Sequence, residues 1–193
     1  FEGGLEDLPD LGNDAFVYFI VHQEIAHNYP EGFKMQNFRD LGNTEKNPYS
    51  AAYYTIRNFR ENAIDVWFVL HDHPGPLAVW SEKVIEGCEV AFWGPRTTFT
   101  PPKKTKDYLF IADETAQPAV LASIENLANK ENYKCFFETQ DETTRFNYDD
   151  DRNKIDWIYR KKQAAGEGTE LIKKIENLEI DASALYVFGA GEA

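Results

Sequence analysis

The chain changes its folding grammar at Pro101-Pro102-Lys103-Lys104. Before this point, short aromatic and β-branched runs alternate with Gly, Pro and Asn turns, the pattern of antiparallel strands. After it, Tyr108-Leu109-Phe110-Ile111-Ala112 runs apolar without a polar break. A strand of that kind has both faces covered, which is the situation of a parallel sheet between helices. At 193 residues the chain holds one large domain or two small ones. The change of pattern predicts two, residues 1–104 and 105–193, with the boundary near 103–107.

Residues 15–21 read as a strand, and the polar Asn/Gly/Pro-rich segment up to Pro48 as a loop. Strands are expected at 53–59 and 64–71 around an Arg60-Glu61-Asn62-Ala63 turn. Pro76 suits a first helical turn, Leu77, Trp80 and Val84 share its apolar face, and Gly87 closes that helix. A strand at 89–93 ends at Gly94-Pro95. The second half predicts a strand at 108–112 and a helix opened by Asp113-Glu114-Thr115 that carries Val120, Leu121, Ile124 and Leu127. Strands at 133–138 and 155–159, a helix at 169–178 and a strand at 184–188 complete a β-α-β-β-α-β order, that of a small parallel α/β sheet.

The net charge of −13 excludes a nucleic-acid footprint and sets the global field against anionic ligands, which local donors must hold. No run of about 18 apolar residues is present to span a membrane, and no signal-peptide pattern is visible in the given N-terminal residues, so none is expected. It starts at Phe1 and stops at Gly191-Glu192-Ala193, so both ends are expected to be trimmed. Cys88 and Cys135 match no metal spacing, and free thiols point to a reducing, cytoplasmic location.

His71-Asp72-His73 could place two rings on one strand face, but His22 and His27 have no spacing that proposes a third ligand. No protein-built metal site is therefore expected. No nucleophile–base pair or carboxylate dyad stands out, so no catalytic side chain is assigned. Redox chemistry needs none, because a cofactor carries the reactivity. Strand alternation puts Tyr53, Thr55 and Arg57 on one face and Tyr54 and Ile56 on the other. Gly75-Pro76-Leu77-Ala78 opens a helix whose free N–H groups suit a phosphate, although alone it is merely a turn. Asp113-Glu114-Thr115-Ala116 follows a buried strand where α/β sheets bind ligands, without a Gly-x-Gly-x-x-Gly fingerprint. Two carboxylates there look wrong for a phosphate.

Taken in order, Tyr53-Tyr54-Thr55-Ile56-Arg57, Asp65-x-x-Phe68-Val69-Leu70-His71, Gly75-Pro76-x-x-x-Trp80, Gly87-Cys88-Glu89-Val90, Trp93-Gly94-Pro95, Ala112-Asp113-Glu114-Thr115-Ala116-x-Pro118-Ala119 and the terminal Ala190-Gly191-Glu192-Ala193 resemble the siderophore-interacting protein family. The similarity covers residues 8–193. It implies a ferredoxin-reductase-like fold, an antiparallel six-stranded FAD-binding barrel followed by a parallel-sheet NAD(P)H-type α/β domain. It also implies reduction of Fe(III) in a ferric siderophore to Fe(II), with NAD(P)H or ferredoxin as donor. Carried onto this chain, Tyr53, Tyr54, Thr55, Ile56, Arg57, His71, Asp72, Gly75, Pro76, Leu77, Ala78, Trp80 and Thr115 would hold FAD. Asp113, Glu114, Thr115, Ala116, Gly191 and Glu192 would line the NAD(P)H pocket. The basic residues expected to receive the anionic ferric complex are Lys46, Arg96, Lys103, Lys104, Lys161 and Lys162.

One departure stands out. The family pattern Arg-x-Tyr-Thr places Ala52 where a phosphate-binding Arg belongs, and losing that donor costs roughly 1.5–3 kcal/mol unless Arg57 or main-chain groups compensate. The resemblance thus leaves a monomeric reductase as the leading expectation. A general flavin reductase and a non-redox siderophore-binding module are the alternatives.

Overall fold

A computed structural model of the chain describes residues 5, 9, 13–42, 44, 46–70, 74–127, 132–146, 154–161, 163, 168, 170–179 and 181–191. It divides into two compact units, Phe1–Leu11 with Ala15–Thr97 and Gly12–Asp14 with Thr98–Ala193.

The first unit contains β1 (Phe16–His22), α1 (Met35–Leu41), β2 (Tyr49–Arg60), β3 (Ala63–Val66), α2 (Pro76–Lys83) and β4 (Ala91–Arg96). Its sheet runs β3-β2-β1-β4, with every pairing antiparallel. Among the described residues this sheet has four strands, against the six of the expected barrel. Val17, Phe19, Val21, Ile56 and Ile64 bury one sheet face against Leu77 and Trp80 of α2. A helix with Pro at N1 and three buried side chains thus closes the apolar side.

Two irregularities set which side chains reach which face. The β2–β3 register shifts between Ile56 and Asn58, so Phe59 joins Tyr54 and Ile56 on the core side despite its odd number. The β1–β4 register shifts where Phe16 faces Arg96 but Tyr18 faces Trp93, which inserts one extra residue in β4. The strand therefore does not end at Gly94-Pro95 as expected. It passes through them, because a bulge tolerates a residue with no N–H. Gly94 has φ 140, and a Cβ there would stand 3.0 Å from the Phe16 carbonyl oxygen, so only glycine fits. Two other expectations shift. The loop before Pro48 contains α1, and β3 is short, its pairing with β2 stopping at Val66 opposite Ile56.

The second unit contains β5 (Asp107–Asp113), α3 (Gln117–Glu125), β6 (Tyr133–Thr139), β7 (Ile155–Tyr159), α4 (Glu170–Glu176) and β8 (Leu185–Ala190). The sheet order is β7-β6-β5-β8 and every pairing is parallel. Leu109, Phe136 and Ile158 pack with Leu171 and Ile175 of α4. Phe110 and Ala112 alternate to the opposite face and are buried there. Helix α3 contacts β5 and is buried from Gln117 to Ile124. The unbroken apolar strand is thus covered on both sides. Cys135 is a buried free thiol, and burial holds it well above the usual thiol range. No helix among the described residues is long and apolar enough to cross a membrane.

Asp14, the last residue of the Gly12–Asp14 segment of this unit, fixes the segment before β5. Its buried carboxylate accepts from the N–H of Thr98 (3.0 Å), the Thr98 hydroxyl and the N–H of Phe99 (3.0 Å). Phe99 is thereby pinned against Phe110 (5.7 Å), Tyr186 (5.4 Å) and Phe188 (5.6 Å). Asp14→Ala orphans these donors and is expected to destabilise the unit by about 2–4 kcal/mol in urea unfolding; an unchanged midpoint would show that water replaces the carboxylate freely.

Candidate functional site

Strand β2 delivers its aromatic pair to opposite faces. Tyr54, opposite Val17 of β1, is half-buried with its ring 4.4 Å from Phe68 and 6.1 Å from Phe19. Tyr53, opposite Tyr18, is 59% exposed and packs on Tyr18 (4.6 Å) and Phe16 (5.5 Å). Thr55 is half-buried and Ile56 fully buried. Arg57 is buried too, its guanidinium donating to Asn58 Oδ1 (3.1 Å) and lying 5.3 Å from the Trp67 ring centroid. Ala52 packs against the apolar cluster beside Tyr54.

The face carrying Tyr53 holds a cavity of about 250 Å³ whose lining includes Tyr18, Tyr53, Trp93, Phe38, Arg39 and Arg96. Its parts come from four elements, β1, β2, β4 and α1. Trp93 and Arg96 lie three apart, and the β4 bulge is what turns both toward the cavity. Met35, Phe38 and Arg39 come from α1, whose start is fixed by the Lys34 N–H donating to Asn37 Oδ1 (2.7 Å). Gly42, at φ 57, ends that helix and donates to the Arg39 carbonyl (3.0 Å). Aromatic walls with two guanidiniums suit a flat or aromatic anion.

Helix α2 offers a second element. Its first helical bond runs from the Val79 N–H to the Gly75 carbonyl (3.1 Å), so the Leu77 and Ala78 amides precede the ladder. Their side chains, and that of Trp80, are buried, which fixes the backbone. Among the described residues, a Cβ on Gly75 would meet nothing within 4 Å, so the space beside the start of the helix is open there. His71 and Asp72 lie outside the described residues.

In the second unit the carboxyl ends of the parallel strands form the third element. Asp113 Oδ1 accepts from the Thr115 N–H (2.8 Å), the Thr115 hydroxyl (2.6 Å) and the Ala116 N–H (3.2 Å), which shapes the turn into α3. Gly191 closes against it: a Cβ there would fall 2.6 Å from Asp113 Oδ2. The structure therefore brings Asp113, Thr115, Ala116 and Gly191 together, and Glu192 lies outside the described residues.

Glu114 does not serve as a free pocket carboxylate. It is buried in a two-pronged ion pair with Arg160, which donates to its two oxygens at 2.8 and 2.5 Å. Arg160 also donates to the Glu138 carbonyl (3.3 Å) and stands 3.8 Å from the Glu138 carboxylate. The hydrogen bonds to Glu114, with the charges of Glu114 and Glu138, raise the Arg160 pKa above its ordinary value. Sequence reasoning missed Arg160; its signal was an Arg heading the basic Arg160-Lys161-Lys162 triplet directly after a strand, with Glu138 near the end of another strand. The unfavourable pair of carboxylates is thus resolved by one buried cation.

Of the expected basic residues, Arg96 lines the cavity, with Arg39 as a partner the sequence did not single out. Lys46 is exposed before β2, Lys103 and Lys104 are exposed in the turn before β5, and Lys161 is exposed just past β7. Lys162 lies outside the described residues.

Comparison with known proteins adds identity to this geometry. Residues 2–99 match the family model of the siderophore-interacting FAD-binding domain, and residues 105–193 that of siderophore-interacting protein. The structure of a siderophore utilization protein from T. fusca is 25% identical, with a TM-score of 0.77 over 100% of this chain and 74% of that one. The siderophore-interacting protein SipS from Aeromonas hydrophila shares the fold at 19% identity, TM-score 0.72, over 97% and 74%. The fold extends to ferredoxin-NADP+ reductase from Plasmodium falciparum, 14% identical, TM-score 0.52, over 85% and 66%.

Proposed function

The chain belongs to the siderophore-interacting protein family, and from that premise we propose that it is an FAD-dependent ferric-siderophore reductase. The family model covering residues 2–99 makes it a siderophore-related flavoprotein. The observation that carries the finer reading is the α2 start: two main-chain amides held by buried side chains, with open space at Gly75. Such a cradle fits a diphosphate. Each charge-assisted N–H bond contributes roughly 1.5–3 kcal/mol, against ~0.3–1 from the helix dipole. With Arg57 buried against Trp67 and Ala52 in place of a donor, these amides carry the phosphate contact.

The aromatic cavity then receives the substrate. Arg39 and Arg96 offset the anionic charge of the ferric complex, while Tyr18, Tyr53 and Trp93 favour one with aromatic chelating groups, as in catecholates. The turn built on Asp113, Thr115, Ala116 and Gly191 is the expected NAD(P)H side, with ferredoxin the alternative donor. FAD, when bound, supplies the bridge between a two-electron donor and one-electron reduction of Fe(III). Fe(II) leaves because a chelator built for Fe(III) holds it weakly. In this reading the sheet of the first unit is part of the six-stranded flavin barrel, and the protein works as a monomer in the cytoplasm.

The purified protein is expected to be yellow, to bleach anaerobically with NAD(P)H or reduced ferredoxin, and to regain colour with a ferric siderophore. A colourless protein that binds the ferric complex but never FAD would be a binding module. One that reduces free flavin but leaves the ferric complex untouched would be a general flavin reductase. Gly75→Ser tests the cradle: a Cβ there meets no described neighbour within 4 Å and serine is a good N-cap, so stability is expected to hold, while FAD binding weakens by about tenfold or more as the side chain crowds an amide contact. Unaltered affinity by fluorescence titration would place the diphosphate elsewhere.

A further inference from the structure

Strand β1 ends at His22, opposite Tyr49 of β2, and the chain turns at once. The Gln23 N–H donates to the Pro48 carbonyl (2.8 Å) and the His27 N–H to the Glu24 carbonyl (3.2 Å). This turn gathers His22, Glu24 and His27 so that one ligand atom from each lies within 4.8 Å of the others. The two imidazoles stack at 3.6 Å with 13° between planes. We propose that His22, Glu24 and His27 form a binding site for a divalent first-row transition metal ion, with its remaining positions open to water.

Two imidazoles and one carboxylate are a donor set that suits Fe(II) and Zn(II) with open positions. Glu24 is exposed and both histidines are half-buried, so an ion enters without opening the fold. The surroundings hold the turn in place. Tyr49 lies edge-on to His22 at 5.0 Å, and its hydroxyl stands 3.4 Å from His27 Nε2, an outer partner that leaves Nδ1 for a metal. Tyr29 anchors the far end, its hydroxyl donating to the Ile20 carbonyl (2.6 Å) and its N–H to Glu89 (3.0 Å). The net charge of −13, adverse to anions, draws divalent cations.

Binding requires one local rearrangement. Ring lone pairs lie in the ring planes, so stacked imidazoles point them in parallel, and one ring must turn about its soft terminal torsion. The Glu24 N–H donates to His22 Nδ1 (3.0 Å), a bond that coordination there exchanges for metal. If the protein is a ferric-siderophore reductase, Fe(II) is the ion with a local supply; the site itself does not rest on that reading.

The test is calorimetric titration of chelator-stripped protein with Zn(II), repeated with Fe(II) under anaerobic conditions. One equivalent of Zn(II) is expected at micromolar affinity, weakened about tenfold or more by His22→Ala, His27→Ala and Glu24→Gln, with the Glu24 amide resonance shifting on binding. Absence of saturable binding, or equal affinity in Glu24→Gln, overturns the proposal. Glu24 is exposed, so that variant stays informative even if a histidine variant misfolds. Flavin absorbance of the same samples reports on the reductase reading independently.

Discussion

Arg160→Ala is expected to destabilise the second unit by about 3–5 kcal/mol, because it leaves buried carboxylates without their cation. Arg160 and Glu114 expose only 7% and 9% of their side chains, and Glu138 only 10%. No water shell stands ready to take over. Trp157 on β7 belongs to this unit while Trp67, Trp80 and Trp93 lie in the other, so amide hydrogen exchange of β6 and β7 in urea reads the loss. Arg160→Ala combined with Glu114→Gln is expected to recover part of the stability, since one uncompensated charge disappears. If the turn at the strand ends is the NAD(P)H side, as proposed, affinity for the donor should also fall in the single variant under conditions where it remains folded, because Glu114 lies between Asp113 and Thr115. A destabilisation below about 1 kcal/mol would mean that the pair behaves as a solvated surface bridge.

Arg39→Ala with Arg96→Ala is expected to raise the Michaelis constant for an anionic ferric siderophore by about a hundredfold or more. Two lost charge-assisted contacts at roughly 1.5–3 kcal/mol each set that scale. Both guanidiniums line one cavity, so the single substitutions should not add simply. Flavin content and the bleaching rate with the donor are expected to stay unchanged, which separates substrate capture from cofactor binding. Rising salt should erode the wild-type advantage over the double variant. If wild type and double variant share one Michaelis constant, the cavity is not the proposed landing site of the ferric complex.

Where local pattern decides structure, the sequence was legible. The 155–159 strand is observed at those residues, and the apolar run at 108–112 is the centre of β5. Both are governed by period and burial alone. The Tyr53/Tyr54 alternation is likewise real, although it hands the open cavity to Tyr53 and turns Tyr54 toward Phe68. What escaped depends on contacts between distant residues or on backbone irregularity. Helix α1 has seven residues, too few for a periodic signal inside an Asn- and Gly-rich segment. Gly94-Pro95 reads as a terminator unless the extra residue opposite β1 is known. Arg160 meets Glu114 across 46 residues, and Glu24 joins His22 and His27 through a turn that carries no metal-ligand spacing.

The extra residue in β4 carries a consequence for variation among related chains. Presentation of Arg96 is set by how many residues the strand spends opposite Phe16–Tyr18, not only by which residue stands at that position. A homologue one residue shorter there would swing the same arginine to the opposite side of the sheet, abolishing the charge at the rim without any change in composition. Selectivity among ligands could therefore drift through single-residue deletions in this strand while the buried side chains stay untouched.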